Sequence, residues 1–150
     1  LDVVEEFSRS NVFDDRTEGE LLLHYFCRRG NEDMVKHLVD SCGALLTRDD
    51  NGSSPLIVAA QHGSVGVVRF FLSRLVSENS NPSSDRWGNT PLHHACRNGC
   101  LEIVRLLLGD NHTFSTSTLL TKRNWLSETP RNCAVSHDRT KVVEYLDGLL

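Results

Sequence analysis

Glycines recur along this chain at a nearly constant spacing, and that spacing constrains the fold more than any other feature. Gly30, Gly63 and Gly99 are 33 and 36 residues apart, and Asp138 follows 39 residues later. A second set of markers keeps the same register, and its members are Gly19, Gly52, Gly88 and Ser127. Both sets fit a period of 33 residues with insertions of three and six. Repetition at this period is typical of a solenoid of stacked supersecondary units.

Each copy has the sequence pattern of a turn followed by two short helices. The clearest copy begins at Thr90-Pro91 and continues LHHACRNGCLEIVRLLL. A hydroxyl residue before proline caps a helix start, where the missing proline N–H costs nothing. The central glycine ends the first helix, and apolar residues at helical spacing fill the second. Ser54-Pro55 and Thr129-Pro130 open two further copies in the same way.

The run TPLHHACRNG followed by LEIVRLLL resembles the ankyrin repeat, whose pattern is a turn, then T-P-L-H-x-A, then two antiparallel helices. The resemblance implies an all-α ankyrin-repeat solenoid of stacked helix-turn-helix units with projecting β-turn or hairpin fingers. We expect this domain to cover residues 16–150, with repeats at about 16–48, 49–84, 85–123 and 124–150. Within residues 1–15 we expect a short helix that packs on the first repeat.

The first and last copies depart from the pattern. The first has Leu21-Leu22 in place of Thr-Pro, and the fourth has Arg131 and Asn132 in place of Leu and His. A linear stack requires such changes, because each terminal copy has one face against water. We therefore expect Arg131, Asp138 and Asp147 to face solvent.

Two insertions lengthen the later copies. Residues 77–84 are rich in Ser, Asn and Pro, and we place them in an exposed loop. We also place residues 109–122 in a loop, including the polar run 113–118. The first residue is Leu rather than Met and the last two are both Leu, so we expect both ends to continue into a longer protein.

Composition narrows the function classes. The 150 residues carry 16 Lys and Arg against 20 Asp and Glu, a net charge of −4, which gives no general attraction to nucleic acid or anionic membranes. No apolar run approaches the ~20 residues that span a bilayer, and no secretory signal opens the chain. Five cysteines without Cys-x-x-Cys indicate a reducing compartment. We expect an intracellular, cytoplasmic or alternatively nuclear protein that is monomeric on its own.

No group of residues supports catalysis, a cofactor or a metal site. His93, Cys96 and Cys100 share one side of a helix, but a zinc site needs about four convergent ligands and no further ligand group stands elsewhere. Cys27, beside two arginines, is the one candidate nucleophile, and its place in the repeat faces the core. Phosphate-binding and G-x-S-x-G motifs are absent. We expect no enzyme activity, no cofactor and no metal.

The resemblance implies that the turns project as fingers and that the first helices line a concave surface. Carried over residue by residue, the predicted partner-binding positions are Arg28, Arg29, Asp50, Asn51, His62, Arg86, Trp87, Asn89, His94, Arg97, Asn98, Trp125, Leu126, Glu128 and His137. Both tryptophans fall on consecutive fingers, and Trp and Arg are the residues most enriched at binding hot spots. Two alternatives stand beside this interpretation. An indole could pack on the neighbouring finger, and the arginines could form a solvated face without a partner.

These observations predict a protein–protein interaction module or scaffold that binds another protein through the groove and the finger tips. Arginines with aromatic edges suit a partner segment that carries carboxylates or phosphates. The alternative is a regulatory or targeting domain of a larger enzyme or channel. A nucleic-acid binder is disfavoured by the net charge and by the lack of a lysine-rich stripe.

Overall fold

The computed structural model describes residues 22–41, 48–75, 83–109 and 115–149, and every regular element in these ranges is helical. Four helix pairs follow one another: α1 (Leu22–Arg29) with α2 (Glu32–Asp40), α3 (Pro55–Gln61) with α4 (Val65–Leu75), α5 (Pro91–Asn98) with α6 (Leu101–Leu108), and α8 (Pro130–Ser136) with α9 (Thr140–Gly148). A further short helix, α7 (Thr116–Thr121), precedes the last pair. The predicted all-α fold is confirmed for these residues. The helix expected within residues 1–15 lies outside them, as does most of the 77–84 insertion.

Hydroxyl caps and prolines start α3, α5 and α8, as the sequence predicts. Thr90 Oγ1 accepts a hydrogen bond from the backbone N–H of His93, and the Thr90 N–H donates to His93 Nδ1 at 3.1 Å. Ser54 and Thr129 likewise accept from the backbone N–H three residues ahead. Each cap contributes about 1 kcal/mol to helix stability. Local sequence therefore sets where the first helix of each of these pairs begins.

The core is a continuous row between the stacked pairs. The first helices α1, α3, α5 and α8 pack on one another in chain order, and the second helices pack beside them. Small side chains such as Ala59 and Ala95 are fully buried on the first helices, which lets the helices approach closely. Branched side chains such as Val68 and Val104 are fully buried on the second helices. This regular stacking of the helix pairs aligns the turns that precede α3, α5 and α8.

The insertion 109–122 contains helix α7, so the prediction of a loop is wrong for residues 116–121. Leu119 of this helix is buried in the core. Thr121 Oγ1 donates to the carbonyl of Ser117 at 2.8 Å, which satisfies a hydroxyl within the helix. Threonine is a weak helix former, and the buried leucine supplies a tertiary contact that overrides this propensity.

The last pair has a polar edge where the preceding pair is apolar. Arg131 donates from Nε to Asp147 Oδ1 at 2.6 Å and from Nη2 to Oδ2 at 3.1 Å. The same two positions are Leu92 and Leu108 in the third pair. This pairing holds the pKa of the Asp147 carboxyl below its usual value. Asp138 is exposed, and the Arg131 and Asp147 side chains are 42% and 46% exposed, so all three reach solvent as expected.

Candidate partner-binding surface

Three finger turns, residues 49–52, 85–88 and 124–127, precede α3, α5 and α8. Each is closed by one side-chain oxygen, from Asp49, Asp85 or Asn124, that accepts backbone N–H groups two and four residues ahead at 2.9–3.0 Å. Short side chains with an oxygen acceptor stabilise turns in this way. The same turn is therefore built three times, by a residue that the sequence places at the same point of each copy.

Backbone hydrogen bonds join each finger to the next. The N–H of Arg86 donates to the carbonyl of Asn51 at 3.0 Å, and the N–H of Trp125 donates to the carbonyl of Trp87 at 3.0 Å. Gly88 permits the second approach, since its φ is 78° and a Cβ there would lie 3.2 Å from the Trp125 nitrogen. The three fingers therefore form one linked row rather than independent loops.

Large apolar side chains are exposed to solvent at the tips of the last two fingers. Trp125 and Leu126 are 77% and 76% exposed, and Trp87 is 47% exposed. We call these three residues the finger patch. The Trp125 ring lies against Gly88, yet most of its surface remains in water, so packing on the neighbouring finger does not account for it. Exposed apolar groups clustered on a fixed backbone are typical of interaction surfaces.

Basic side chains accompany the fingers. The Arg86 guanidinium lies 5.4 Å from the centre of the Trp87 ring, within the range of a cation–π contact. Arg48 Nη1 donates to the carbonyl of Gly52 at 2.8 Å, and Arg123 Nη1 donates to the carbonyl of Ser127 at 2.7 Å. The sequence analysis missed Arg48 and Arg123. Their signal is a basic residue directly before the turn-closing Asp or Asn.

A second basic group lies where the first helices end. Arg28 and Arg29 are exposed, and their guanidinium carbons lie 5.6 and 5.2 Å from the centre of the Tyr25 ring. His62 and His137 are exposed at the corresponding ends of α3 and α8. Each donates from Nδ1 to the carbonyl four residues earlier at 3.0 Å, which leaves the rest of its ring accessible.

The remaining predicted residues differ in exposure. Asp50 and Asn51 are exposed on the first of the three fingers, and Asn98 is exposed at the end of α5. The Asn98 side chain also donates to the carbonyl of Gln61, which joins neighbouring pairs. Arg97 and Glu128 are only partly exposed.

Two predicted contact residues, Asn89 and His94, are buried, and their placement on the exposed surface is wrong. The Asn89 side-chain carbonyl accepts from Asn124 Nδ2 at 2.9 Å, and His94 Nε2 donates to Asp85 Oδ2 at 2.8 Å. Buried polar groups need hydrogen-bond partners, and these two side chains supply them for the turns. Burial lowers the pKa of His94, and the contact with Asp85 opposes that shift.

The residues considered for chemistry have structural roles in the described part of the chain. His93 Nε2 donates to the carbonyl of Glu128 at 3.0 Å, which ties α5 to the next finger, and burial lowers its pKa. Cys27 and Cys96 are fully buried, and burial raises the pKa of both thiols, the opposite of an activated nucleophile. Among the described residues, no three His, Cys, Asp or Glu side chains are grouped to hold a metal ion. None of the described helices is long and apolar enough to cross a membrane.

Comparison with known proteins agrees with this helical stack. The family model described as ankyrin repeats (3 copies) matches residues 1–81, 46–117 and 72–147. Tyrosine-protein kinase HTK16 of Hydra vulgaris is 27% identical over 140 residues, which are 93% of this chain and 18% of the relative. Transient receptor potential cation channel subfamily A member 1 of Homo sapiens is 32% identical over 97 residues, which are 65% of this chain and 9% of the relative. The chain thus spans less than a fifth of the length of either relative.

Proposed function

Because the chain belongs to the ankyrin-repeat family, whose repeats are protein-interaction modules, we propose that it binds a partner protein through the finger patch and the basic ends of its first helices. Trp125 and Leu126 carry this proposal, since each is about three-quarters exposed on a turn with a hydrogen-bonded backbone. A turn that is already ordered loses little conformational entropy on binding. Full burial of each such side chain contributes about 1.5–3 kcal/mol or more.

The partner segment that fits best is acidic or phosphorylated and carries apolar side chains. Arg86 and Arg123 place positive charge beside the finger patch, although the whole chain has a net charge of −4. Arg28 and Arg29 add two further guanidinium groups on the first helix. Guanidinium groups recognise carboxylates and phosphates through paired hydrogen bonds.

We propose that this domain acts inside the cell as a recognition domain. The free thiols of Cys27, Cys96 and Cys133 are buried, which suits a reducing compartment such as the cytoplasm or, alternatively, the nucleus. We propose that the isolated domain is monomeric.

A second candidate function is regulation or targeting of a larger enzyme or channel. The chain spans 18% of a relative named as a tyrosine-protein kinase and 9% of one named as a cation channel. In this view the domain docks the larger protein on a partner and contributes no catalytic residue. Kinase or channel activity would then belong to other segments.

Affinity capture from cell lysate with quantitative mass spectrometry tests the finger patch. The comparison is between the wild-type chain and a Trp125→Ala/Leu126→Ala variant, with Leu149→Ala as the matched control because Leu149 is also exposed, at the end of α9. We expect a set of proteins that the wild type and the control retain and the double variant loses. Far-ultraviolet circular dichroism checks that all three are folded. Equal capture by the double variant would refute the finger patch as the site.

The salt dependence of capture distinguishes a protein partner from nucleic acid. A protein partner held by apolar contacts should remain bound when the salt concentration is raised several-fold, whereas nucleic acid would be lost steeply. Charge reversal at Arg86 and Arg123, which are both exposed, should weaken capture of an acidic partner. Far-ultraviolet circular dichroism checks the fold of these variants, because Arg123 also donates to the carbonyl of Ser127. Capture that is unchanged by both reversals would exclude an acidic segment at the fingers.

A further inference from the structure

Arg97 has a partly buried side chain without a carboxylate partner. Among the described arginines only Arg97 and Arg131 are partly buried, and the others are exposed. Arg131 pairs with Asp147 through two hydrogen bonds, whereas Arg97 forms no ion pair within the described residues. The Arg97 Nε is enclosed by these residues and has no hydrogen-bond acceptor among them. Buried charges are normally compensated by an opposite charge, so this unpaired guanidinium needs an explanation.

Arg97 lies between α5 and α8, on the side of the stack that faces the fingers. It follows His94 by three residues, so the two share one face of α5, and His94 contacts Asp85 of the finger turn. Its guanidinium also interacts with the thiol of Cys133 on α8. A long side chain on a helix extends towards the N-terminus of that helix, and the finger with Trp87 directly precedes α5. A segment that binds the finger patch and follows the first helices would therefore pass over this guanidinium.

The side chains next to the guanidinium leave its charge uncompensated. Burial is the main cause that lowers the pKa of His93 and His94, and the Arg97 charge adds to this shift, so both imidazoles are neutral at neutral pH. Burial likewise raises the pKa of the Cys133 thiol, which keeps it protonated. The Glu128 carboxylate accepts from Cys133 Sγ at 3.7 Å and forms no ion pair with Arg97. One positive charge therefore remains unpaired at this place.

We propose that Arg97 binds a single carboxylate, an aspartate or glutamate side chain of the partner segment that contacts the finger patch. This inference rests on the function proposed above and names the charged contact that the partner makes. A guanidinium binds a carboxylate through paired, charge-assisted hydrogen bonds. One carboxylate balances one guanidinium, whereas a phosphate group with a charge of about −1.5 to −2 would leave negative charge unpaired in a partly buried site. The geometry therefore favours a carboxylate over a phosphorylated side chain at this position.

The cost of the unpaired charge is measured on the chain without a partner. Arg97→Met keeps most of the apolar stem and removes the charge, so the melting temperature should stay the same or rise. Arg131→Met is the matched control at the other partly buried arginine, and its melting temperature should fall because Asp147 loses its partner. An equal fall in both variants would show that Arg97 is already paired within the protein and would overturn the proposal.

Sodium acetate is the probe for carboxylate binding. An enclosed N–H exchanges slowly with water, so the Arg97 Nε–H signal should be observable in ¹H–¹⁵N spectra. We expect this signal to shift in a saturable way with acetate, to remain in place with chloride at the same ionic strength, and to shift less with inorganic phosphate than with acetate. The same response to all three anions, no response to acetate, or a stronger response to phosphate would overturn the proposal.

Partner capture connects Arg97 to the finger patch. Proteins whose capture from lysate depends on Trp125 and Leu126 should be captured at least about tenfold less by Arg97→Met. The control is Arg105→Met, because Arg105 lies on α6 against the Tyr145 ring, and it should capture as the wild type does. Loss of capture in Trp125→Ala/Leu126→Ala but not in Arg97→Met would support the finger patch and refute this inference. A response to acetate together with capture that is independent of Trp125 and Leu126 would support the carboxylate site and refute the finger patch.

Discussion

Gly88 and Gly63 share a left-handed backbone, but their surroundings differ. Their φ angles are 78° and 72°. A Cβ at Gly63 would meet no atom within 4 Å, whereas a Cβ at Gly88 would lie 3.1 Å from Trp125 Cδ1 and 3.2 Å from the Trp125 nitrogen. We predict that Gly88→Ala destabilises the fold more than Gly63→Ala and displaces the finger at residues 124–127.

The magnitudes follow from these surroundings. A left-handed backbone costs a residue with a Cβ about 1–2 kcal/mol, and the lower entropy of the unfolded alanine chain offsets about 0.4–1 kcal/mol of that cost. Gly63→Ala should therefore lower the free energy of unfolding by about 1 kcal/mol. Gly88→Ala adds about 1–3 kcal/mol, from overpacking against the finger or from loss of the hydrogen bond between Trp125 and Trp87. The total for Gly88→Ala is about 2–4 kcal/mol.

Urea unfolding followed by circular dichroism measures both free energies. Tryptophan emission of the folded protein measures the local displacement, because the only two tryptophans of the chain are Trp87 and Trp125. We expect Gly88→Ala to change this emission and Gly63→Ala to leave it unchanged. Equal losses of stability with unchanged emission in both variants would refute the close contact between the fingers at residues 85–88 and 124–127, and with it the linked row.

Two further predictions concern strain and pH. Ser127 has a φ of 61°, a left-handed conformation that is unfavourable for a residue with a Cβ. Ser127→Gly should therefore raise the free energy of unfolding, measured by urea titration, by about 0.5–1 kcal/mol. A lower free energy of unfolding in this variant would show that the serine side chain stabilises the turn. Burial lowers the pKa of His94 in the folded state, so the unfolded chain binds more protons at acidic pH. The free energy of unfolding should therefore fall as the pH drops below about 6.5, by up to about 1.4 kcal/mol per pH unit. In thermal unfolding, the melting temperature of His94→Gln should fall less on acidification than that of the wild type. A wild-type stability that rises on acidification would mean that the contact with Asp85 outweighs burial.

The candidate surface was partly predictable because repeat register assigns each residue a place. Trp87, Trp125 and Leu126 fall at the two central positions of their finger turns, and all three are exposed as that register predicts. Register could not predict the burial of Asn89 and His94, because that burial depends on which side chains hydrogen-bond to the polar groups of each turn. Whether the exposed residues bind a partner stays a prediction.

The sequence by itself determined the repeating architecture, because caps, prolines and left-handed glycines act within a few residues and recur at one period. It also determined that the last pair faces water at Arg131 and Asp147, since charged residues there replace leucines of the preceding copy. Only the tertiary structure decided that α7 is a helix, because Leu119 gains its stabilisation from residues distant in the chain. It also decided the linked row of fingers, since that row arises from how neighbouring pairs meet across the stack.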